Sequence, residues 1–145
     1  MIVTETKVRV YYQDTDKMGV VYYGNYARYY EIGRTEMIRD LGFTYKQMEE
    51  LGILLPARSL NINYHKSAYY DDLLTVRTIV ETIPQVKFLI KTEIYNEKGD
   101  LINSGEVVLV FFSAITNKPV AAPKFFTDEM IKMFNLHPNS SVPKQ

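Results

Sequence analysis

One long amphipathic helix set ahead of a succession of strand-patterned segments constrains this chain more than any other feature. From Asn25 onward Tyr26, Tyr30, Gly33, Met37 and Leu41 recur at steps of three or four, with Arg28, Glu31, Thr35 and Arg39 largely opposite, which is the pattern of a helix with one buried face. Asn25 suits its cap and Gly42, after DLG, suits its stop, so the spacing predicts a helix over 26–41. Gly33 in the middle costs about 1 kcal/mol against alanine. The simplest reason to keep it is a sheet pressed close against the helix.

Around that helix the period switches to two. KVRVYY puts Val8, Val10 and Tyr12 on one face; SLNINY does so with Leu60, Ile62 and Tyr64, LLTVRTIVE with Leu74, Val76, Thr78 and Val80, and VKFLIKTEIY with Phe88, Ile90 and Ile94. A turn at Glu97-Lys98-Gly99-Asp100 leads into LINSGEVVLVFFSAI, whose nearly continuous apolar second half predicts a central strand covered on both faces. Thr44 and Gln47 at capping-box spacing open a short helix closed by Gly52, and a last helix is expected near Thr127 to Phe134. The expected class is α+β, an antiparallel curved sheet wrapped around one long helix. Such a sheet leaves edge strands and an outer apolar face uncovered, which the pairing of two copies would resolve.

Composition narrows the function classes. With 145 residues, 46% apolar and 23% charged, the chain has the make-up of one globular domain, expected over 1–136 with 137–145 as a flexible polar tail. Seventeen basic and seventeen acidic residues cancel, so no global field draws it to nucleic acid or an anionic membrane. The absence of cysteine excludes disulfides, thiolate metal sites and a cysteine nucleophile. No apolar run is long enough to span a bilayer, and MIVTETKVRV lacks the features of a secretory signal, so a cytoplasmic location is expected.

The chemistry-bearing stretch is YYQDTDKMGVVYYGNY, residues 11–26. Asp14 is read as a turn-capping residue. Asp16 stands differently, because the loop after it is too apolar for a free surface turn and runs straight into a helix start. Amides at a helix start are unsatisfied donors with a partial positive charge, suited to an oxygen that becomes negative during reaction.

VRVYYQDTDKMGVVYYGNYARYYEIGRTEMIRDLG, together with YHKSAYYDDLLTV, resembles the hotdog-fold acyl-CoA thioesterases of the 4-hydroxybenzoyl-CoA thioesterase family, especially the branch associated with the bacterial Tol-Pal system. The resemblance spans about residues 5–125. It implies a hotdog fold, hydrolysis of an acyl-CoA thioester, Asp16 as the catalytic carboxylate, and the backbone N–H of Tyr23, with Gly24 beside it, as the donor polarising the thioester carbonyl. Many relatives of that branch carry histidine where this chain has Tyr23, a change that removes a side-chain acid or base but keeps the backbone donor. It further implies a homo-oligomer, dimeric and plausibly tetrameric, with no metal and no redox cofactor. An acyl carrier protein substrate and a non-catalytic thioester-binding scaffold are the alternatives.

Direct attack by the carboxylate and activation of water both remain open. For the phosphates of coenzyme A, Arg58, Lys66, Lys87 and Lys91 are candidates, with Lys66 and Lys87 foremost. Tyr22, with Tyr23, is a candidate for lining the acyl pocket, whereas Tyr26 and Tyr30 are better explained by packing. His65 and His137 are read as non-catalytic, Glu31 and Glu36 as helix-surface carboxylates with Glu31 in reserve, and Asp71 and Asp72 as strand-initiating residues that could alternatively touch the pantetheine arm.

Overall fold

The computed structural model describes residues 1–136. Its elements run β1 (Ile2–Arg9), α1 (Tyr26–Asp40), α2 (Tyr45–Glu50), β2 (Ile53–Leu54), β3 (Ala57–Tyr64), β4 (Leu73–Val80), β5 (Lys87–Tyr95), β6 (Leu101–Val110), β7 (Phe112–Ser113), β8 (Lys118–Pro119) and α3 (Lys124–Leu136). The long strands form one antiparallel sheet in the order β1-β4-β5-β6-β3. Across it lies α1, burying Tyr26, Tyr29, Tyr30, Gly33, Met37 and Ile38. This is the α+β arrangement the sequence predicts.

The register explains how close the helix comes. Thr4 lies opposite Thr78, Thr78 opposite Thr92, and Thr92 opposite Gly105, so one row of small residues crosses the sheet on one face. Gly33 meets that row: a β-carbon built on it would stand 2.6 Å from Thr78 Oγ1 and 2.8 Å from Val76 Cγ1. One on Gly105 would stand 2.8 Å from Tyr30 Cε2. Apolar packing divides on either side of the row. Tyr29, Leu74, Val76 and Ile94 belong to the cluster under the first half of α1, and Met37, Phe88, Phe111 and Phe126 to the one under its second half.

Several expectations are corrected. β1 starts and ends earlier than KVRVYY suggests; Val10 is fully buried, but Tyr12 has left the strand for a 3₁₀ turn and is 79% exposed. LINSGEVVLVFFSAI is not one strand. β6 stops at Val110, Phe111 turns into the core against Phe88 and Phe126, and β7 joins β2 and β8 in a separate small sheet. α3 begins a turn before Thr127, because the Pro123 carbonyl accepts the N–H groups of Phe126 and Thr127 at 3.0 and 3.1 Å.

Asn25 does not cap α1. It is already helical, the last residue of a 3₁₀ turn over Tyr23–Asn25, and its side chain reaches back to the Asp14 carbonyl at 2.8 Å. The reciprocal Thr44–Gln47 box forms as expected, and Gly42 follows α1 with φ +93°. The outer sheet face is charged rather than apolar: Arg77 lies 2.9 Å from Glu5 and 4.0 Å from Glu93, and Lys91 lies 2.8 Å from Glu81. Among the described residues no helix is long and apolar enough to cross a membrane. The expected tail 137–145 and His137 lie outside the described residues.

Two outcomes follow. Gly33→Ala should destabilise the fold by about 1–3 kcal/mol in urea titration, the collision with β4 outweighing the better helix propensity. Burial holds the hydroxyls of Tyr26, Tyr29 and Tyr30 above the ordinary value of 10.0. The unfolded chain therefore loses these protons first, so stability is retained below pH 10.0 and falls as pH rises beyond it. In an alkaline titration the tyrosinate absorbance of these rings should appear together with the loss of far-ultraviolet circular dichroism, not before it.

Candidate active site

Asp16 occupies the corner of a tight hairpin. Thr15 pairs with Val21, the Asp16 N–H donates to the Val20 carbonyl at 2.9 Å, and Gly19 closes the turn with φ +76°. A three-residue loop ending in a left-handed residue is a common hairpin solution, and glycine adopts that conformation without a steric cost. The carboxylate joins in: Asp16 Oδ1 accepts the Met18 N–H at 2.8 Å. One oxygen is thus engaged by the turn, and no partner is found for Oδ2 among the described residues. The apolar residues after the turn fasten it to the body of the protein. Val21 is buried and donates its N–H to the Ala68 carbonyl at 2.8 Å, and Val20 bridges to Tyr69.

Asp14, one residue removed from the same turn, has another role. It is 4% exposed and sits 2.6 Å from Arg28 Nη2. It also accepts the Tyr11 N–H at 2.9 Å and the Tyr29 hydroxyl at 3.2 Å, while its carbonyl accepts the Tyr22 N–H at 2.9 Å. The turn-capping reading of Asp14 therefore captures only part of what it does. It ties β1, the hairpin and the start of α1 into one unit. Arg28, half-exposed on α1, is drawn toward the loop rather than out to solvent.

Between hairpin and helix the chain makes the 3₁₀ turn Tyr23–Asn25, continuous with α1. The Asn25 N–H is satisfied by the Tyr22 carbonyl at 2.9 Å, whereas among the described residues the N–H groups of Tyr23 and Gly24 have no acceptor. These are the orphan donors that every helix start carries. Gly24 also makes room for a neighbour, since a β-carbon there would stand 2.8 Å from Tyr22 Cε1.

Asp16 and Tyr23 line one cleft of about 350 Å³, together with Tyr26, Tyr64, His65, Lys66 and Ser67 among others. Of the residues singled out from sequence, Asp16, Tyr23 and Lys66 come together here, with Gly24 next to Tyr23 in the turn. Lys66 also lies 3.5 Å from Asp100. Tyr22 is not among the cleft-lining residues; its ring packs on Tyr23 with centroids 4.6 Å apart.

Lys87 is not in the cleft of its own chain. It opens β5, seven residues from Ile94, the residue level with Tyr64 through Asn103, roughly 23 Å away along the sheet. Lys91 pairs with Glu81 on the outer face, Glu36 pairs with Arg39, and Glu31 is exposed on α1 away from the cleft. Asp72 precedes β4 and accepts the Tyr69 N–H at 2.9 Å, closing a turn.

Tyr64, His65 and Ser67, on either side of Lys66, are cleft residues that the sequence did not assign to the site. His65 lies in the cleft, with Nε2 2.8 Å from Ser104 Oγ. The alternation in SLNINY fixes the face on which Tyr64 sits, but nothing local says that its strand ends beside the hairpin. A larger concavity of about 530 Å³ lies on the outer sheet face, lined by residues such as Asn61, Lys91, Glu93 and Glu106. It combines no helix-start amide with its carboxylates.

A family model described as the thioesterase-like superfamily matches residues 10–130. The chain belongs to that superfamily. An acyl-CoA thioester hydrolase of Escherichia coli is 34% identical over 122 residues, covering 84% of this chain and 91% of the relative. An acyl-CoA thioesterase of Haemophilus influenzae is 36% identical over 118 residues, covering 81% and 86%. A crystal structure of DHNA-CoA thioesterase from Staphylococcus aureus shares 38% identity at a TM-score of 0.87, covering 99% of this chain and 98% of that one. The sheet curved around α1 is the hotdog fold of these thioesterases.

Asp14→Asn should lower stability by about 1.5–3 kcal/mol, the range for hydrogen bonds to a charged group, measured by urea unfolding. An unchanged urea midpoint would remove Asp14 as the tie between hairpin and helix.

Proposed function

We propose that the chain hydrolyses an acyl-CoA thioester to the free acid and coenzyme A, with Asp16 as the acting carboxylate and the Tyr23 N–H, beside that of Gly24, as the oxyanion donor. The observation that carries this reading is the shared cleft: Asp16, with one carboxylate oxygen uncommitted, and Tyr23, whose amide has no acceptor among the described residues, line the same space, and the equally unsatisfied Gly24 amide follows in the turn. Relatives named as acyl-CoA thioester hydrolases support the substrate class.

The thioester carbonyl carbon is electrophilic and thiolate leaves readily, so two groups suffice. The amides stabilise the carbonyl oxygen as it becomes negative, a contribution on the order of 10² to 10³ in rate for one well-placed donor. Asp16 either attacks the carbonyl, expelling the thiolate and leaving a mixed anhydride that water then cleaves, or removes a proton from water as its oxygen bonds to the same carbon. In both routes the C–S bond breaks, a C–O bond forms and the thiolate takes up a proton. Heavy-oxygen label in Asp16 after single-turnover hydrolysis identifies the first route. No metal or redox cofactor enters either route.

Lys66, which lines the cleft, would meet a phosphate of coenzyme A. The acyl carrier protein alternative draws no support from the cleft, which among the described residues has Lys66 as its one lysine or arginine. A non-catalytic scaffold would have no need of an uncommitted carboxylate beside unsatisfied amides.

The working unit is a homo-oligomer, at least a dimer formed along β3. That edge strand exposes Leu60 and Tyr64 at 45% and 53% and leaves one row of backbone groups unpaired in a single copy. The charged outer face gives no apolar reason for a further pairing into tetramers. A cysteine-free chain acting on coenzyme A thioesters fits the cytoplasm.

Asp16→Asn keeps the acceptor for the Met18 N–H, so the hairpin should persist while kcat falls by roughly 10²-fold or more. A panel of short, long and aromatic acyl-CoAs, run with both proteins, tests this. Activity of Asp16→Asn within a few-fold of the parent would move the site elsewhere.

A further inference from the structure

We infer that Tyr64, on the edge strand β3, is a positioning residue that aims one of the two oxyanion donors, the Gly24 N–H; the inference rests on the thioesterase reading above and goes one step deeper into it. The Tyr64 hydroxyl donates to the Tyr23 carbonyl oxygen at 3.1 Å, across a sequence separation of 41 residues. That carbonyl and the Gly24 N–H belong to one planar peptide unit, and with no cis bond among the described residues they point in opposite directions. Gripping the carbonyl therefore fixes the direction in which the Gly24 N–H points. It also draws electron density toward the carbonyl oxygen, which makes that N–H a stronger donor.

The surroundings give this contact something to do. The Tyr23 and Gly24 amides have no acceptor among the described residues, so nothing on the donor side holds the peptide plane before substrate arrives. On the side-chain side, Gly24 has no β-carbon to wedge it. Tyr64 is itself steadied: its ring meets Tyr26 edge-on with centroids 5.6 Å apart, and the next residue, His65, is anchored through its N–H to the Ile102 carbonyl at 2.9 Å. At 53% exposure the ring contributes little to the core, and its hydroxyl has no other partner among the described residues. The role is orientation rather than contact with the reacting atoms.

The test uses the full chain. Tyr64→Phe removes one hydroxyl and keeps the ring on Tyr26, so folding should be unaffected, with an unchanged melting temperature. We expect kcat to fall about 10-fold, less than for loss of a donor outright, with KM within two-fold. The deciding readout is spectroscopic. In the Asp16→Asn background, where bound thioester persists, the infrared carbonyl stretch of bound acyl-CoA should lie below that of free acyl-CoA, and adding Tyr64→Phe should move it back toward the free value. A carbonyl band unmoved by Tyr64→Phe overturns the inference. Absence of hydrolysis by the parent protein across the acyl-CoA panel would instead overturn the thioesterase reading itself, so the two failures are distinguishable.

Discussion

The close approach of α1 to the sheet is the constraint on which the rest of the molecule depends. It is set where Gly33 meets Thr78 and Val76 on β4, with Gly105 giving way to Tyr30 two strands further on, on β6. A side chain at either position would lift the helix. Close-packed interiors do not absorb such a lift locally, and the 3₁₀ turn leading into α1, which carries the Tyr23 and Gly24 amides, would move with it. The geometry of the cleft is thus fixed in part by residues in the middle of the helix that never touch it.

Two aspartates one residue apart divide the remaining work. The 3₁₀ turn over Tyr12–Asp14 sends Asp14 inward to Arg28 and Tyr29, while the hairpin that follows holds Asp16 at its corner, exposed and lining the cleft. Asp14 is consumed by hydrogen bonds, and so it is the part that positions. Asp16 keeps one oxygen uncommitted, which is why the proposed chemistry falls to it. The same logic distinguishes Asn25, whose amide and side chain are both spent, from Tyr23 and Gly24, whose amides are not.

Much of this was legible in the chain itself, for local reasons. Helical periodicity located the buried face of α1, Gly33 announced a near neighbour, Thr44 and Gln47 announced a capping box, and period two located β3, β4 and β5. The motif around Asp16 resembles a known family closely enough to single out Asp16 and the Tyr23 amide. What could not be read depends on contacts between distant segments. Phe111 leaves its strand because Phe88 and Phe126 leave room for it in the core. Lys87 has a suitable charge but opens β5, away from the cleft of its own chain, and charge says nothing about register. Tyr64 and His65 reach the cleft only because β3 ends beside the hairpin, a fact of topology rather than of spacing. Asn25 looked like a cap by residue type, but its amide group found a better partner in the Asp14 carbonyl.

The two margins of the sheet are unlike. β1 carries Glu5, Lys7 and Arg9, whereas Arg58 is the one charge on β3, between Ala57 and Tyr64. An assembly able to grow at both margins would have no reason to stop, and strands from successive molecules would run on into a fibre. Desolvating three charges discourages addition along β1, so copies meeting through β3 would present only guarded borders to the outside. Finite size is then a property of a single chain, written into which of its borders carries charge.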